Sequence, residues 1–180
     1  MIPKILDNYY EKCYTVASKN ITEEQIMCLI CNVIEMIKRG ENPYFVRELE
    51  TGYVVIGNHQ YFPGYSLFLC KEHTTELFYL KDDFRDKFMR EMSMVAEAVM
   101  IAFGADKMNY ELLGNGDSHV HWHLYPRRKG DLNEYGLNGI GPVWWVPWHI
   151  MNDDSNVVTG DKLEKMKAVL SDALDEVMRV

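Results

Sequence analysis

Apolar positions along the chain first repeat with a helical period, then with a strand period, then alternate between the two. Residues 3–18 place Ile5, Leu6, Tyr9, Cys13 and Val16 on roughly one face, which predicts an amphipathic helix. A second helix is predicted to start at Thr22, with Gln25 at the reciprocal capping-box position and Ile21 and Ile26 placed as a hydrophobic staple. Its apolar row continues through Leu29, Ile30, Val33, Ile34 and Ile37 and ends at Gly40. The period then shortens. Residues 44–49 and 53–56 read as two strands around the turn Glu50-Thr51-Gly52, and residues 66–70 as a third, after a loop over 58–64 that contains Pro63-Gly64.

A long helix is predicted from a cap at Asp82 or Asp83 to Phe103, burying Phe84, Phe88, Met92, Val95, Val99 and Ala102. Residues 108–113 and 118–125 read as two more strands around Gly114-Asn115-Gly116-Asp117. The stretch 126–159 is irregular and rich in Gly, Asn, Asp and Trp, and loops of that length are often functional. A last helix covers about 161–178, with Asp161 and Glu164 at capping-box spacing. The order αα-βββ-α-ββ-α predicts an α+β fold: an antiparallel sheet of about five strands with a long helix packed on it and helical additions at both ends.

Composition narrows the function classes. A chain of 180 residues that is 47% hydrophobic can bury one core, and a single domain over 1–180 is expected. No apolar run is long enough to span a bilayer, and the first residues lack a signal-peptide core, so a cytoplasmic protein without membrane partners is expected. The net charge of −8 argues against a broad nucleic-acid surface. It leaves room for a local basic site, and Arg127-Arg128-Lys129 is the one compact basic cluster. Cysteines at 13, 28, 31 and 70 should be reduced in that compartment. The pair Cys28-x-x-Cys31 has three readings: a redox dithiol, half of a zinc site, or two buried small side chains.

The segment His119-Val120-His121-Trp122-His123-Leu124-Tyr125-Pro126-Arg127 holds three of the six histidines. On a strand, His119, His121 and His123 would line one face and Val120, Trp122 and Leu124 the other. A ladder of ionisable rings has no packing advantage. Two chemistries remain open at this point: a nucleophilic imidazole, or a metal held by the three rings.

The same segment resembles the histidine-triad signature of the histidine-triad (HIT) family. The resemblance extends over about 28–129. Cys28-Leu29-Ile30-Cys31 is similar to an N-terminal C-x-x-C found in one branch of that family. Pro63-Gly64-Tyr65-Ser66 through Lys71-Glu72-His73 is similar to its Pro-Gly-His strand and following Lys-x-His, and 109–127 to its strand, phosphate loop and triad strand. Residues 1–20 and 130–180 would then be extensions. The family hydrolyses or transfers nucleotidyl groups at an α-phosphorus, so the resemblance implies a homodimeric nucleotide hydrolase acting on dinucleoside polyphosphates, phosphoramidates or other adenylated compounds.

By the same resemblance His121 would attack phosphorus, with His123 and His119 as its catalytic partners. Asn115, Gly116, Ser118, Tyr65 and Asn58 would contact the nucleotide or its phosphates, and Cys28, Cys31, His73 and His119 would hold a structural zinc. The sequence departs from the family at Tyr65, where a histidine is usual; a phenol forms hydrogen bonds but cannot become a cation. Three rival readings stay open: a transferase whose acceptor is not water, a non-catalytic nucleotide-binding or zinc-stabilised module, and a histidine-ligated metalloenzyme. Trp144, Trp145 and Trp148 could stack on a base or cover a dimer seam, but a satellite core under the loop is the expectation for at least two of them.

Overall fold

The structure, a computed structural model, describes residues 28–134 and 141–179. The helix expected over 3–18 and the capping box and staple at Ile21, Thr22, Gln25 and Ile26 lie outside those residues. Elements follow in the order α1 (Leu29–Lys38), β1 (Phe45–Glu48), β2 (Gly52–Ile56), β3 (Ser66–Cys70), α2 (Asp82–Phe103), β4 (Lys107–Glu111), β5 (His121–Arg127), a short α3 (Trp148–Met151) and α4 (Gly160–Val177). The strands form one antiparallel sheet in the order β1-β2-β3-β5-β4, the α+β arrangement expected from the pattern.

Helix starts are where the sequence misleads. Helix α1 begins at Leu29, with Cys28 extended (φ −88°, ψ 113°) as its cap, so no helix runs through Cys28. Its Sγ accepts the Cys31 N–H at 3.2 Å. The cap of α2 is Lys81, without a side-chain bond, while Asp82 and Asp83 occupy the first turn, where they favour the positive end of the helix dipole. Helix α4 is capped by Thr159, with Asp161 in its first turn, so the Asp161/Glu164 capping box is not formed.

One face of the sheet is covered by α2 and α4. Phe68, Leu124 and Val54 meet Phe88, Val95, Val99, Leu170 and Leu174 there, in the largest apolar cluster. Removing side chains of that size from water is worth about 2 kcal/mol each, so this face anchors the molecule. A buried carboxylate fixes the β1–β2 turn: Glu91 accepts the N–H groups of Glu50 (3.1 Å) and Thr51 (2.9 Å) and the Thr51 hydroxyl.

The opposite face carries two smaller clusters with a gap between them. Ile30, Ile34 and Ile37 of α1 pack with Tyr53, Val55 and Leu69 at one end. Phe62, Tyr125, Leu132, Val143 and Val146 pack together at the other. The histidines of β5 lie between, because His121 pairs with Leu69 and His123 with Leu67. Trp144, Trp145 and Trp148 do not fill the second cluster; they are 64%, 41% and 68% exposed, and Val143 and Val146 turn inward instead. The expected satellite core exists, but the tryptophans are its outer surface. Among the described residues no helix is long and apolar enough to cross a membrane.

Candidate active site and metal centre

Strand β5 begins at His121, not at Ser118, so the three histidines do not share one strand face. His119 precedes the strand and its buried ring turns toward α1. His121 and His123 stay on the open face, two residues apart, with Tyr125 next in the same row. The triad therefore splits into two centres that meet at His119, and its three rings do not converge on one ion.

The first centre is a chain of hydrogen bonds. His121 Nδ1 lies 2.6 Å from the His119 carbonyl oxygen. A carbonyl can only accept, so Nδ1 carries the proton and, in the neutral ring, Nε2 keeps its lone pair. That Nε2 lies 2.9 Å from His123 Nε2, and His123 Nδ1 lies 2.6 Å from the Tyr65 hydroxyl. Burial holds His121 below the ordinary histidine range, against the opposing pull of the His119 carbonyl. Burial, then the neighbouring His121, push His123 down to about 3. Both rings are neutral near pH 7, and a neutral imidazole with one nitrogen tied to a carbonyl presents a nucleophile at the other.

Tyr65 is set by its surroundings. Gly64 before it has φ +97°, a conformation that favours glycine, and a Cβ on Gly57 would sit 2.2 Å from the Tyr65 ring. The ring stacks on Tyr125 at a centroid distance of 4.3 Å with planes 7° apart. Burial raises both phenols, Tyr125 to about 12 and Tyr65 well above its usual range. Opposite His123 on the edge strand is Glu111, whose carboxyl is raised by burial and partly restored by Arg127.

The second centre gathers Cys28, Cys31, His73 and His119, whose ligand atoms all lie within 4.8 Å of one another. His119 Nδ1 is 3.5 Å from Cys28 Sγ and 3.4 Å from Cys31 Sγ, and His73 Nδ1 is 3.2 Å from Cys31 Sγ. Zinc bonded to sulfur and imidazole nitrogen with tetrahedral angles separates those atoms by about 3.6 Å. His119 Nε2 donates to the Cys70 carbonyl at 2.9 Å, which leaves Nδ1 bare toward the sulfurs, the support that metal-bound histidines use. The hydrogen bond between the thiols sets them apart: Cys28 is pushed up to about 12, first by its bond with Cys31 and then by burial, and the same bond lowers Cys31. The four residues fit a zinc ion, with one sulfur already biased toward thiolate.

Asp117 locks this centre to α1. Its Oδ2 accepts the N–H groups of Leu29 (2.6 Å) and Ile30 (3.2 Å), and its Oδ1 accepts the His119 N–H at 3.1 Å. Asp117 lies in the loop before the triad strand, and no local signal marks it as a cap for a helix start some ninety positions earlier. The remaining candidates stand apart from the hydrogen-bonded chain. Asn115, Gly116 and Ser118 are exposed in the β4–β5 loop. Asn58 turns its Oδ1 to the His59 N–H at 3.1 Å, and its carbonyl accepts from Val158 at 3.0 Å.

A five-stranded antiparallel sheet with this histidine row beside its central strand defines a histidine-triad fold. The HIT-domain family profile matches residues 41–130, and the chain belongs to that family. Solved structures agree in fold. A histidine triad protein from Marinobacter aquaeolei VT8 is 24% identical, covering 74% of this chain and 89% of its own, with a TM-score of 0.59. A hypothetical histidine triad nucleotide-binding protein from Sulfolobus tokodaii is 17% identical, covering 83% and 95%, with a TM-score of 0.61. A zinc-bound histidine triad family protein from Mycobacterium smegmatis is 19% identical, covering 86% and 98%, with a TM-score of 0.55. No curated protein matches the chain.

Proposed function

We propose that this protein is a nucleotide phosphohydrolase in which His121 attacks an α-phosphorus and forms a covalent nucleotidyl-histidine that water then resolves. The observation that carries the reading is the 2.6 Å bond from His121 Nδ1 to the His119 carbonyl, which leaves Nε2 as the nitrogen with the lone pair. His123 Nε2, 2.9 Å away, is the donor for a phosphate oxygen arriving at that point. His119 contributes through its backbone. In this reading Tyr65, Asn58, Asn115, Gly116 and Ser118 contact the nucleotide or its phosphates. Substrates are adenylated compounds: dinucleoside polyphosphates, phosphoramidates or related adenylates.

Zinc, held by Cys28, Cys31, His73 and His119, would supply a structural cross-link between α1 and the β4–β5 loop. The working unit in this reading is a homodimer in the cytoplasm. The support for both is family membership. The deciding experiment is a turnover screen of adenylated compounds on the wild-type protein beside His121→Ala. Wild-type turnover with none in the variant is expected. A variant that keeps a near-normal rate ends the assignment of His121, and binding without turnover in the wild type makes the protein a non-catalytic nucleotide module.

A further inference from the structure

Tyr65 occupies a place that decides which proton His123 can give. Its backbone is held from both sides: its N–H donates to the Phe62 carbonyl at 2.9 Å, and its carbonyl accepts from Gly57 N at 2.9 Å and Gln60 Nε2 at 2.8 Å. Its ring is clamped between the space left by Gly57 and the face of Tyr125. The hydroxyl therefore has one position, 2.6 Å from His123 Nδ1.

The direction of every proton in the chain follows from its far end. The His119 carbonyl fixes the His121 proton on Nδ1, so His121 Nε2 is an acceptor. The proton between the two Nε2 atoms must then belong to His123. A neutral His123 with a proton on Nε2 has a bare Nδ1, so the Tyr65 O–H donates to it. We propose that Tyr65 is a positioning residue that, together with His121, locks His123 as the neutral Nε2–H form, His121 by accepting at Nε2 and Tyr65 by capping the bare Nδ1, and that this lock makes the site selective for phosphoric anhydrides over phosphoramidates. The proposal rests on the hydrolase reading above.

The selectivity comes from the leaving group. When His121 Nε2 bonds to the α-phosphorus of an anhydride, the bond to the bridging oxygen breaks and its electron pair leaves on a phosphate or polyphosphate anion. That anion is stable without a proton, and the His123 N–H need only donate a hydrogen bond to it. Water then attacks phosphorus, the P–N bond breaks, its electron pair returns to His121 Nε2, and the water's proton goes to solvent. A phosphoramidate instead expels an amine, whose nitrogen must gain a proton as the P–N bond of the substrate breaks. The His123 Nε2 proton could go there only if Nδ1 took the Tyr65 proton, leaving a phenolate in a site where burial opposes that charge. A histidine at this position could pass on a proton from a cation; a tyrosine cannot.

The test compares kcat/KM for diadenosine triphosphate and adenosine 5′-phosphoramidate in the wild type, Tyr65→Phe and Tyr65→His, with nitrogen NMR shifts of His123 in each. The wild type should favour the anhydride by at least about 10-fold, a difference of about 1.4 kcal/mol in barrier, and Tyr65→His should narrow that ratio. The wild-type spectrum should show a protonated Nε2 and a bare, hydrogen-bonded Nδ1; Tyr65→Phe should keep the Nε2 proton, which His121 fixes, and shift Nδ1 to the position of a nitrogen without a donor. Equal rates on the two substrates, or a ratio unmoved by Tyr65→His, overturns the selectivity while leaving the nucleophile assignment standing. A wild-type His123 protonated on Nδ1 overturns the lock. Failure of the wild type to turn over either compound removes the hydrolase reading and the selectivity with it, and the spectra still decide the lock.

Discussion

His119 holds His121 with its backbone while its own ring belongs to another centre: the carbonyl lies 2.6 Å from His121 Nδ1, and the ring nitrogen lies 3.5 and 3.4 Å from the Cys28 and Cys31 sulfurs. One residue thus ties the orientation of the candidate nucleophile to the cluster that fits a metal. Asp117, bonded to the His119 N–H and to the first turn of α1, makes the tie rigid. A disturbance of the cysteine pair reaches His121 through a single peptide unit.

Protein purified without added metal should carry about one equivalent of zinc. A Cys28→Ser, Cys31→Ser double variant should lose it, whereas His121→Ala should keep it, since the His121 ring is not among the four grouped residues. Elemental analysis of the three proteins decides this. Zinc retained by the double variant and lost from His121→Ala would move the metal to the triad.

A covalent nucleotidyl-histidine requires two displacements at phosphorus, and each inverts its configuration. Hydrolysis of a substrate chiral at the α-phosphorus, with sulfur and an oxygen isotope as labels, should give net retention. Net inversion would mean that water attacks directly, and His121 would then have to act as a base.

The sheet and long helix were legible because their signals are local. The short continuous apolar runs at 53–56 and 67–69, bounded by turn residues, and the apolar row from Phe88 to Val99 need no distant partner to be read. The start of α1 was not legible. Cys28 is a poor capping residue by type, and it caps because Asp117, far along the chain, takes the neighbouring N–H groups. Alternation predicts His119 as a third rung of a strand, yet its ring turns toward the cysteines, because alternation alone cannot mark where a strand begins. The tryptophan segment misled for a geometric reason. A single 3-10 turn over Val143–Trp145 brings Val143 and Val146, three residues apart, to the same side, and the larger rings are carried outward.

That geometry makes its own prediction. Trp144→Ser and Trp148→Ser should each change folding stability by less than about 0.5 kcal/mol, because exposed side chains contribute little. Val146→Ala should cost more, about 1 to 3 kcal/mol, since Val146 is 1% exposed. Urea unfolding of the three variants compares them directly. A tryptophan variant as damaged as Val146→Ala would return the tryptophans to the core.

Glu91 should be among the costliest polar residues to remove from the helix face. Glu91→Ala leaves the Thr51 N–H and hydroxyl and the Glu50 N–H without their acceptor at a buried turn. Unsatisfied buried donors cost about 1 to 3 kcal/mol. Glu91→Gln keeps one acceptor oxygen and should lose less. Equal stability of Glu91→Ala and the wild type in chemical denaturation would show that water reaches the turn.

Acid should destabilise the fold through His123. In the folded protein burial and His121 hold its pKa at about 3, against an ordinary value near 6.5 when unfolded. Between those two values the unfolded chain binds the proton that the folded chain refuses, so stability is intact above pH 6.5 and falls as the pH drops toward 3. For this one group the loss between pH 7.5 and pH 5 is about 2 kcal/mol. His121, lowered by its own burial, adds to the loss in the same direction. His123 is one titratable group among several, so the wild type alone cannot isolate the effect. His123→Gln keeps a polar side chain at the position, cannot titrate, and leaves Cys28, Cys31, His73 and His119 unchanged. Denaturation midpoints at pH 7.5 and pH 5 should therefore separate further for the wild type than for His123→Gln. Equal separations would mean that His123 titrates normally in the folded protein and that the neutral chain from Tyr65 to His121 does not persist in solution.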